Sequence, residues 1–178
     1  MRSAGRRGPV TWLVPFLFLI FSPVAGIHAQ SAAQVPTIEH MYITEYGLYT
    51  GGEQSCYRDE QGVQRCEQTN IRHTETTLTV PARLGVHFGV RFWVSGTPDA
   101  AKVKLTRVWL FPDPGLKSPA LKEPIHRREQ TETVAIGSGD FTTYAFDDLW
   151  ELVPGNWTLE YWQGDRKLLS ETFTVVKE

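Results

Sequence analysis

The sequence has 178 residues, of which 41% are hydrophobic, 12% aromatic and 21% charged, and its formal net charge is −2. This length and composition are typical of one globular domain with a sizeable core. The mildly acidic balance argues against nucleic acid or an anionic lipid surface as a partner.

The first 29 residues have the organisation of a secretory signal peptide. Three arginines among the first seven residues precede the apolar run Trp12–Phe21, which is followed by Ser22, Pro23, Ala25 and Gly26. The alternative is an uncleaved anchor helix, but Pro15 and Pro23 would interrupt it, and the run is short for a bilayer span of about 20 residues. We therefore predict cleavage after Ala29, a disordered lead-in at 30–36, a periplasmic or secreted location, and no membrane insertion of the mature protein.

The next segments predict a strand and a disulfide-linked hairpin. Ile38–Tyr49 is rich in β-branched and aromatic residues, with Gly47 marking a bulge or bend. Cys56 and Cys66 follow, and two cysteines in an exported chain are expected to be joined. A three-residue loop at Glu60–Gly62 would place them opposite each other, at a distance that a disulfide spans. Metal-binding or redox-active cysteines usually lie two residues apart. We therefore predict a structural disulfide in a polar hairpin that projects from the body.

Two alternating stretches come next. Asn70–Val80 is Thr-rich and predicts a strand closed by the proline that follows it. Gly85–Val94 alternates without interruption, which predicts the half-buried strand around which the fold is organised. Its core face is predicted to hold Val86, Phe88, Val90, Phe92 and Val94. The opposite face carries His87, Arg91 and Trp93, which are the candidate ligand contacts.

Three segments of different character follow. Lys102–Phe111 predicts a strand whose apolar face changes halfway along, which indicates a bulge near Thr106 or Arg107. Pro112–Pro124 contains four prolines and predicts a long irregular connection. Ile125–Ile136 is polar and charged, which favours an exposed edge strand.

The last part of the chain is the most informative about architecture. Phe141–Phe146 predicts a strand, and Asp147–Leu152 could form one helical turn. A Pro-Gly corner at Pro154-Gly155 then leads into an alternating aromatic strand, as in the penultimate strand of immunoglobulin-like and fibronectin-like domains. Leu168–Val176 closes the chain with a final strand. The sequence thus predicts an all-β, immunoglobulin-like antiparallel β-sandwich of roughly eight to nine strands, as a single domain at 37–178 with a disulfide-stapled hairpin.

Three stretches together resemble a known family. They are ITEYGLY at Ile43–Tyr49, LGVHFGVRFWVSGTP at Leu84–Pro98, and PGNWTLEYW with a closing FTV at Pro154–Val175. They are similar to an uncharacterised bacterial family of exported proteins, known only as a domain of unknown function. The cysteine hairpin is not part of that pattern. The resemblance implies no activity and no catalytic residue.

The remaining residues carry little sign of chemistry. The histidines of the mature chain have no second ligand at metal spacing; they are His40, His73, His87 and His126. Asp147, Asp148 and Glu151 are interpreted as a solvated turn rather than a Ca²⁺ site. Trp93, Tyr161 and Trp162 indicate either strands covered on both faces or an exposed aromatic patch for a ligand, and we favour core positions. We predict no catalytic residue, no metal site and no cofactor.

Two functions remain open. The first is a non-enzymatic exported module that binds a protein or cell-envelope component through loops or an edge strand. The alternative is a small-ligand carrier, or a small hydrolase-like enzyme, with a polar cleft near His87 and Arg91. The sequence leaves the oligomeric state open.

Overall fold

Eleven strands and one short 3-10 helix make up the regular structure of the described residues. The structure is a computed structural model that describes residues 35–52, 54–58, 64–68, 70–119 and 121–177. The strands are β1 (Thr37–Thr50), β2 (Gln54–Arg58), β3 (Gln64–Gln68), β4 (Arg72–Glu75), β5 (Thr79–Pro81), β6 (His87–Thr97), β7 (Lys102–Leu110), β8 (Arg127–Ala135), β9 (Ser138–Ala145), β10 (Gly155–Gln163) and β11 (Arg166–Val176). The helix, Leu149–Glu151, confirms the helical turn predicted there.

Two sheets form the predicted sandwich. The four-stranded sheet has the order β4-β1-β6-β9, and the five-stranded sheet has the order β5-β11-β10-β7-β8. The hairpin β2-β3 stands apart as a two-stranded sheet. Neighbouring strands are antiparallel except β5 and β11, which pair in parallel. Because the apolar face of each sheet needs a second layer to cover it, the core lies between the two sheets.

The alternating stretch around β6 is the interior strand that the sequence predicts. Val86, Phe88, Val90, Phe92 and Val94 are all buried. Phe88 has rings from both sheets around it, because Trp109, Trp157 and Phe173 come from the five-stranded sheet and Tyr144 from the four-stranded one. The predicted core face is therefore confirmed.

The prediction of one strand at Asn70–Val80 is wrong. The chain leaves β4 at Glu75, crosses between the sheets, and begins β5 at Thr79. β4 pairs with β1, whereas β5 pairs with β11, and Pro81 belongs to β5 rather than following it. Proline is tolerated there because β5 is an edge strand. A polar alternating pattern does not specify which sheet a segment joins, so the crossover has no signature in it.

The predicted bulge in β7 is also wrong. β7 pairs with β8 in one unbroken register from Lys102 opposite Ala135 to Leu110 opposite Arg127. Trp109 continues the core face, while Val108 is buried on the opposite face, where it lines a concavity with Trp162. The apolar pattern changes because both faces of the strand are covered at this point.

The hairpin keeps the predicted register. Cys56 lies opposite Cys66 in the β2-β3 pair. The turn at Glu60–Gly62 falls outside the described residues, so the disulfide itself stays a prediction. The predicted signal peptide at 1–29 and most of the lead-in at 30–36 also lie outside them.

Two further predictions concern the middle of the chain. Residues 111–119 and 121–126 form no regular strand apart from one bridge between Leu116 and Ile125, and β8 is an edge strand as expected. Among the described residues, no helix is long and apolar enough to cross a membrane.

Candidate functional site

Three large aromatic side chains are exposed on the outer face of the four-stranded sheet. Tyr42, Trp93 and Phe141 are 51%, 38% and 37% exposed. Tyr42 pairs with Trp93 across β1 and β6, and Arg91 pairs with Phe141 across β6 and β9. Side chains of paired residues lie on the same face of a sheet, so these four form one surface. We call Tyr42, Arg91, Trp93 and Phe141 the aromatic face.

Trp93 lies across the backbone of β9. A Cβ atom placed on Gly139 would be 3.3 Å from Cε3 of the indole. The ring therefore covers a glycine, and a side chain at position 139 would push against it. The interpretation of Trp93 as a core residue is wrong. Tyr161 is fully buried, as expected, and Trp162 is half-buried.

Arg91 is held in place from two sides. Its Nε donates a hydrogen bond of 2.9 Å to Oε1 of Glu45, and its guanidinium carbon is 5.4 Å from the centre of the Phe141 ring. The pair is partly exposed and contributes little to stability. The contact with Glu45 instead fixes the position of the guanidinium over the Phe141 ring. Arg91 and Trp93 line a shallow groove of about 450 Å³ with Asp140.

His87 is on the outer face, as predicted, but it is covered. Its side chain is buried, and a Cβ atom on Gly51 would lie 2.7 Å from Nε2. Burial lowers the pKa of His87, against the opposing charge of Asp147. Neither Nδ1 of His87 nor the hydroxyl of the paired Tyr49 has a hydrogen-bond partner among the described residues. The groove is not lined by His87, so the structure brings Arg91 and Trp93 together and leaves His87 apart.

The acidic turn is not wholly solvated as the sequence suggested. Glu151 is buried and accepts a hydrogen bond of 2.6 Å from the Tyr144 hydroxyl. It also accepts bonds from the backbone N–H groups of Asp147 and Asp148, at 2.9 and 3.1 Å. Because a buried carboxylate needs such partners, Glu151 is a structural link between β9 and the 3-10 helix. Asp147 and Asp148 are exposed.

One arrangement resembles a hydroxyl–imidazole–carboxylate set. The Thr76 hydroxyl is 3.5 Å from Nε2 of His73, and Nδ1 of His73 is 3.7 Å from Glu45. Both distances are longer than the 2.6–3.2 Å that a nucleophile and its base usually show. Nε2 of His73 is also 3.0 Å from the carbonyl of Tyr46, which can only accept a hydrogen bond. That nitrogen therefore carries a proton and is not available as a base.

In the part of the chain that the structure describes, no group of three or more histidine, cysteine or acidic side chains could hold a metal ion.

Sequence reasoning missed Tyr42 and Phe141. Both lie in alternating strands beside a buried residue, Met41 before Tyr42 and Thr142 after Phe141. The alternation assigns them to an outer face, but only the strand order places them beside Trp93. The aromatic face can be recognised only once β1, β6 and β9 are known to be adjacent in the sheet.

The comparisons with known proteins agree with this fold. The family described as Domain of unknown function (DUF3859) matches residues 38–175. The chain is similar to the crystal structure of an immunoglobulin-like protein from Pseudomonas aeruginosa, with a TM-score of 0.54 and 28% identity, over 82% of this chain and 100% of that one. This likeness confirms the immunoglobulin-like sandwich. No protein of curated function matches the sequence. The protein therefore belongs to that family of unknown function.

Proposed function

We propose that the protein is an exported, non-enzymatic module that binds a protein partner through the aromatic face. The observation that carries this proposal is the clustering of Tyr42, Trp93 and Phe141 with Arg91 on three adjacent strands. Single exposed hydrophobic residues are normal on protein surfaces, but a contiguous group indicates an interaction site. Tryptophan, tyrosine and arginine are also the residues that contribute most to binding energy at protein interfaces.

The shape of this surface favours a macromolecule over a small ligand. The aromatic side chains lie on the open face of a sheet, and the groove beside Arg91 is shallow. A small-molecule site usually encloses most of its ligand in a cleft. The charge of Arg91 is balanced by Glu45, so a partner need not supply a counterion.

A small-ligand carrier is the second candidate. Its support is two neighbouring buried polar atoms that have no hydrogen-bond partner among the described residues, Nδ1 of His87 and the Tyr49 hydroxyl. Buried polar atoms normally have a hydrogen-bond partner, and a small polar molecule could supply it. An ordered water would do so equally well. The test compares protein purified from its native cells with protein that has been unfolded, dialysed and refolded to remove any ligand. A bound ligand would make the ¹⁵N resonances of His87 differ between the NMR spectra of the two samples. Identical spectra would exclude the carrier.

Site-specific photo-crosslinking tests the proposed surface. A benzoylphenylalanine replaces Tyr42 or Phe141 in turn, and the matched control carries it at Thr133, an exposed position in the five-stranded sheet. On irradiation of the native cells we expect one adduct of defined mass from both aromatic positions and none from the control. Equal labelling at all three positions, or no adduct at any, would contradict the proposal. Amino-terminal sequencing of the mature protein tests export, with Gln30 expected as the first residue.

A further inference from the structure

The free edge of β9 borders the aromatic face. No described strand pairs with β9 on the side away from β6. The N–H of Phe146 bonds to the carbonyl of Val86 at 3.1 Å. Because antiparallel residues alternate between bonded and non-bonded pairs, the backbone groups of Gly139, Phe141, Thr143 and Ala145 point outward. The N–H of Phe141 already has a partner, because it donates a hydrogen bond of 2.8 Å to Oδ1 of Asp140.

The other strands that end the two large sheets, β4, β5 and β8, carry features that protect an edge. β5 has three residues and contains Pro81, and β4 has four residues. β8 has nine residues, but Arg128 and Glu132 lie opposite the core residues Trp109 and Leu105, so charged side chains point inward along it. Short strands, proline and inward charges are devices that keep an edge from accepting another strand. β9 has eight residues, and Asp140 is the one charged side chain on it.

Positive charge lies beside this edge, between the two sheets. A cavity of about 100 Å³ is lined by Arg107, Trp109, Arg128, Gln130, Thr143 and Tyr144. The charge of Arg107 is already paired, because its Nη1 lies 3.4 Å from Oε2 of Glu132. The same nitrogen donates a hydrogen bond of 2.7 Å to the Thr142 hydroxyl. Arg128 forms no ion pair with a described residue, and its guanidinium carbon is 5.6 Å from the centre of the Tyr144 ring. A carboxylate that enters here would meet the Arg128 guanidinium, which forms no ion pair with a described carboxylate.

The outer side of the same edge is apolar. Gly139 has no side chain, and Trp93 lies over it with Phe141 two residues further along β9. An added strand would place every second side chain against this surface and the intervening ones toward Arg128. Asp140 is four residues from Tyr144, which corresponds to about 13 Å along a strand, so it lies well away from the cation.

We infer that the partner supplies an extended acidic segment, which adds to β9 as a further strand. Its backbone bonds to the outward groups of Thr143 and Ala145, a carboxylate faces Arg128, and alternate apolar side chains lie on Phe141 and Trp93. In this mode of recognition the main chain provides affinity and the alternate side chains provide specificity. The inference rests on the proposed function, since it names the kind of partner that the aromatic face would bind.

Synthetic peptides test the chemistry directly. The probe is a fluorescein-labelled nine-residue peptide in which glutamate alternates with valine, and the comparison peptide has lysine in place of glutamate. Fluorescence anisotropy at low ionic strength should show at least tenfold tighter binding of the glutamate peptide. Arg128→Gln should remove most of this preference. Equal binding of both peptides, or no binding of either, would overturn the inference.

Two variants at one position separate the backbone from the side chain. Thr143→Pro removes an outward N–H that β6 does not use, and it should weaken binding of the glutamate peptide at least tenfold. Thr143→Val keeps the N–H and should bind as the unmodified protein does. If the proline variant does not fold, amide hydrogen exchange of the unmodified protein replaces it: the peptide should protect Thr143 and Ala145. Unchanged exchange there would overturn the inference.

Failure of this inference can be told apart from failure of the proposed function. If crosslinks persist at Tyr42 and Phe141 while Thr143→Pro changes nothing, the aromatic face binds its partner without strand addition. If the unmodified protein sediments as a dimer that Thr143→Pro dissociates, and the peptide does not bind, a second copy of the chain occupies the edge. Both results overturn the inference, and the first leaves the proposed function intact.

Discussion

Replacement of Phe88 by alanine is expected to destabilise the protein more than any single change in β6. Phe88 is completely buried, and five aromatic rings surround it with centres 5.1 to 6.0 Å away. Loss of a buried phenylalanine side chain costs about 1.5–3 kcal/mol in transfer free energy, and the cavity left behind raises the total to about 3–5 kcal/mol. We expect Phe88→Ala at the upper end, because rings from two sheets cannot close together without moving both.

Phe92 provides a matched comparison in the same strand. It is also buried, but one ring, that of Tyr161 at 4.9 Å, is its aromatic neighbour among the described residues. Phe92→Ala should therefore cost about 3 kcal/mol, at the lower end of the same range.

Urea denaturation followed by tryptophan fluorescence measures these costs. The midpoint should fall while the slope of free energy against urea stays constant, as for a change in stability alone. Leu149 is 75% exposed, and Leu149→Ala should change the free energy of unfolding by no more than about 0.5 kcal/mol. A loss below about 1 kcal/mol for both phenylalanine variants would refute the assignment of β6 as the central core strand.

Three further outcomes are expected. The thiols of Cys56 and Cys66 should not titrate in oxidised mature protein, and reduction should cost no more than about 3 kcal/mol without unfolding the domain; global unfolding on reduction would place the hairpin in the core. The pKa of His87 is lowered by burial, so the unfolded state binds more protons. The stability that neutral His87 contributes should be fully present above about pH 6.5 and should be lost as the pH falls below it. Between pH 5 and 7.5, the urea midpoint should therefore change less with pH for His87→Gln than for the unmodified protein. Tyr144→Phe removes a hydrogen bond to the buried Glu151 carboxylate and should cost about 1.5–3 kcal/mol in thermal or urea unfolding; an unchanged stability would mean that water replaces the hydroxyl.

The candidate site was only partly predictable. Arg91 and Trp93 were recognised from the sequence because a strand alternates between its faces, and β6 shows this alternation clearly. Tyr42 and Phe141 could not be added, because a period of two assigns a face but not the neighbouring strand. His87 has the same alternation as Arg91, yet it is covered by the chain near Gly51 at the base of the hairpin. Burial of an outer-face residue depends on such a loop, which no local pattern encodes.

The sequence by itself determined the class of the fold, the register of the cysteine hairpin and the core face of β6. Each depends on local physics: β-branched and aromatic residues favour strands, a short loop sets a register, and alternation separates two faces. Only the tertiary structure decided that the chain crosses between sheets after Glu75, and that Val108 and Trp109 are buried on opposite faces of one strand. It also decided that β9 ends its sheet beside Trp93. These features depend on which strands lie side by side, and contacts between residues far apart in the chain determine that.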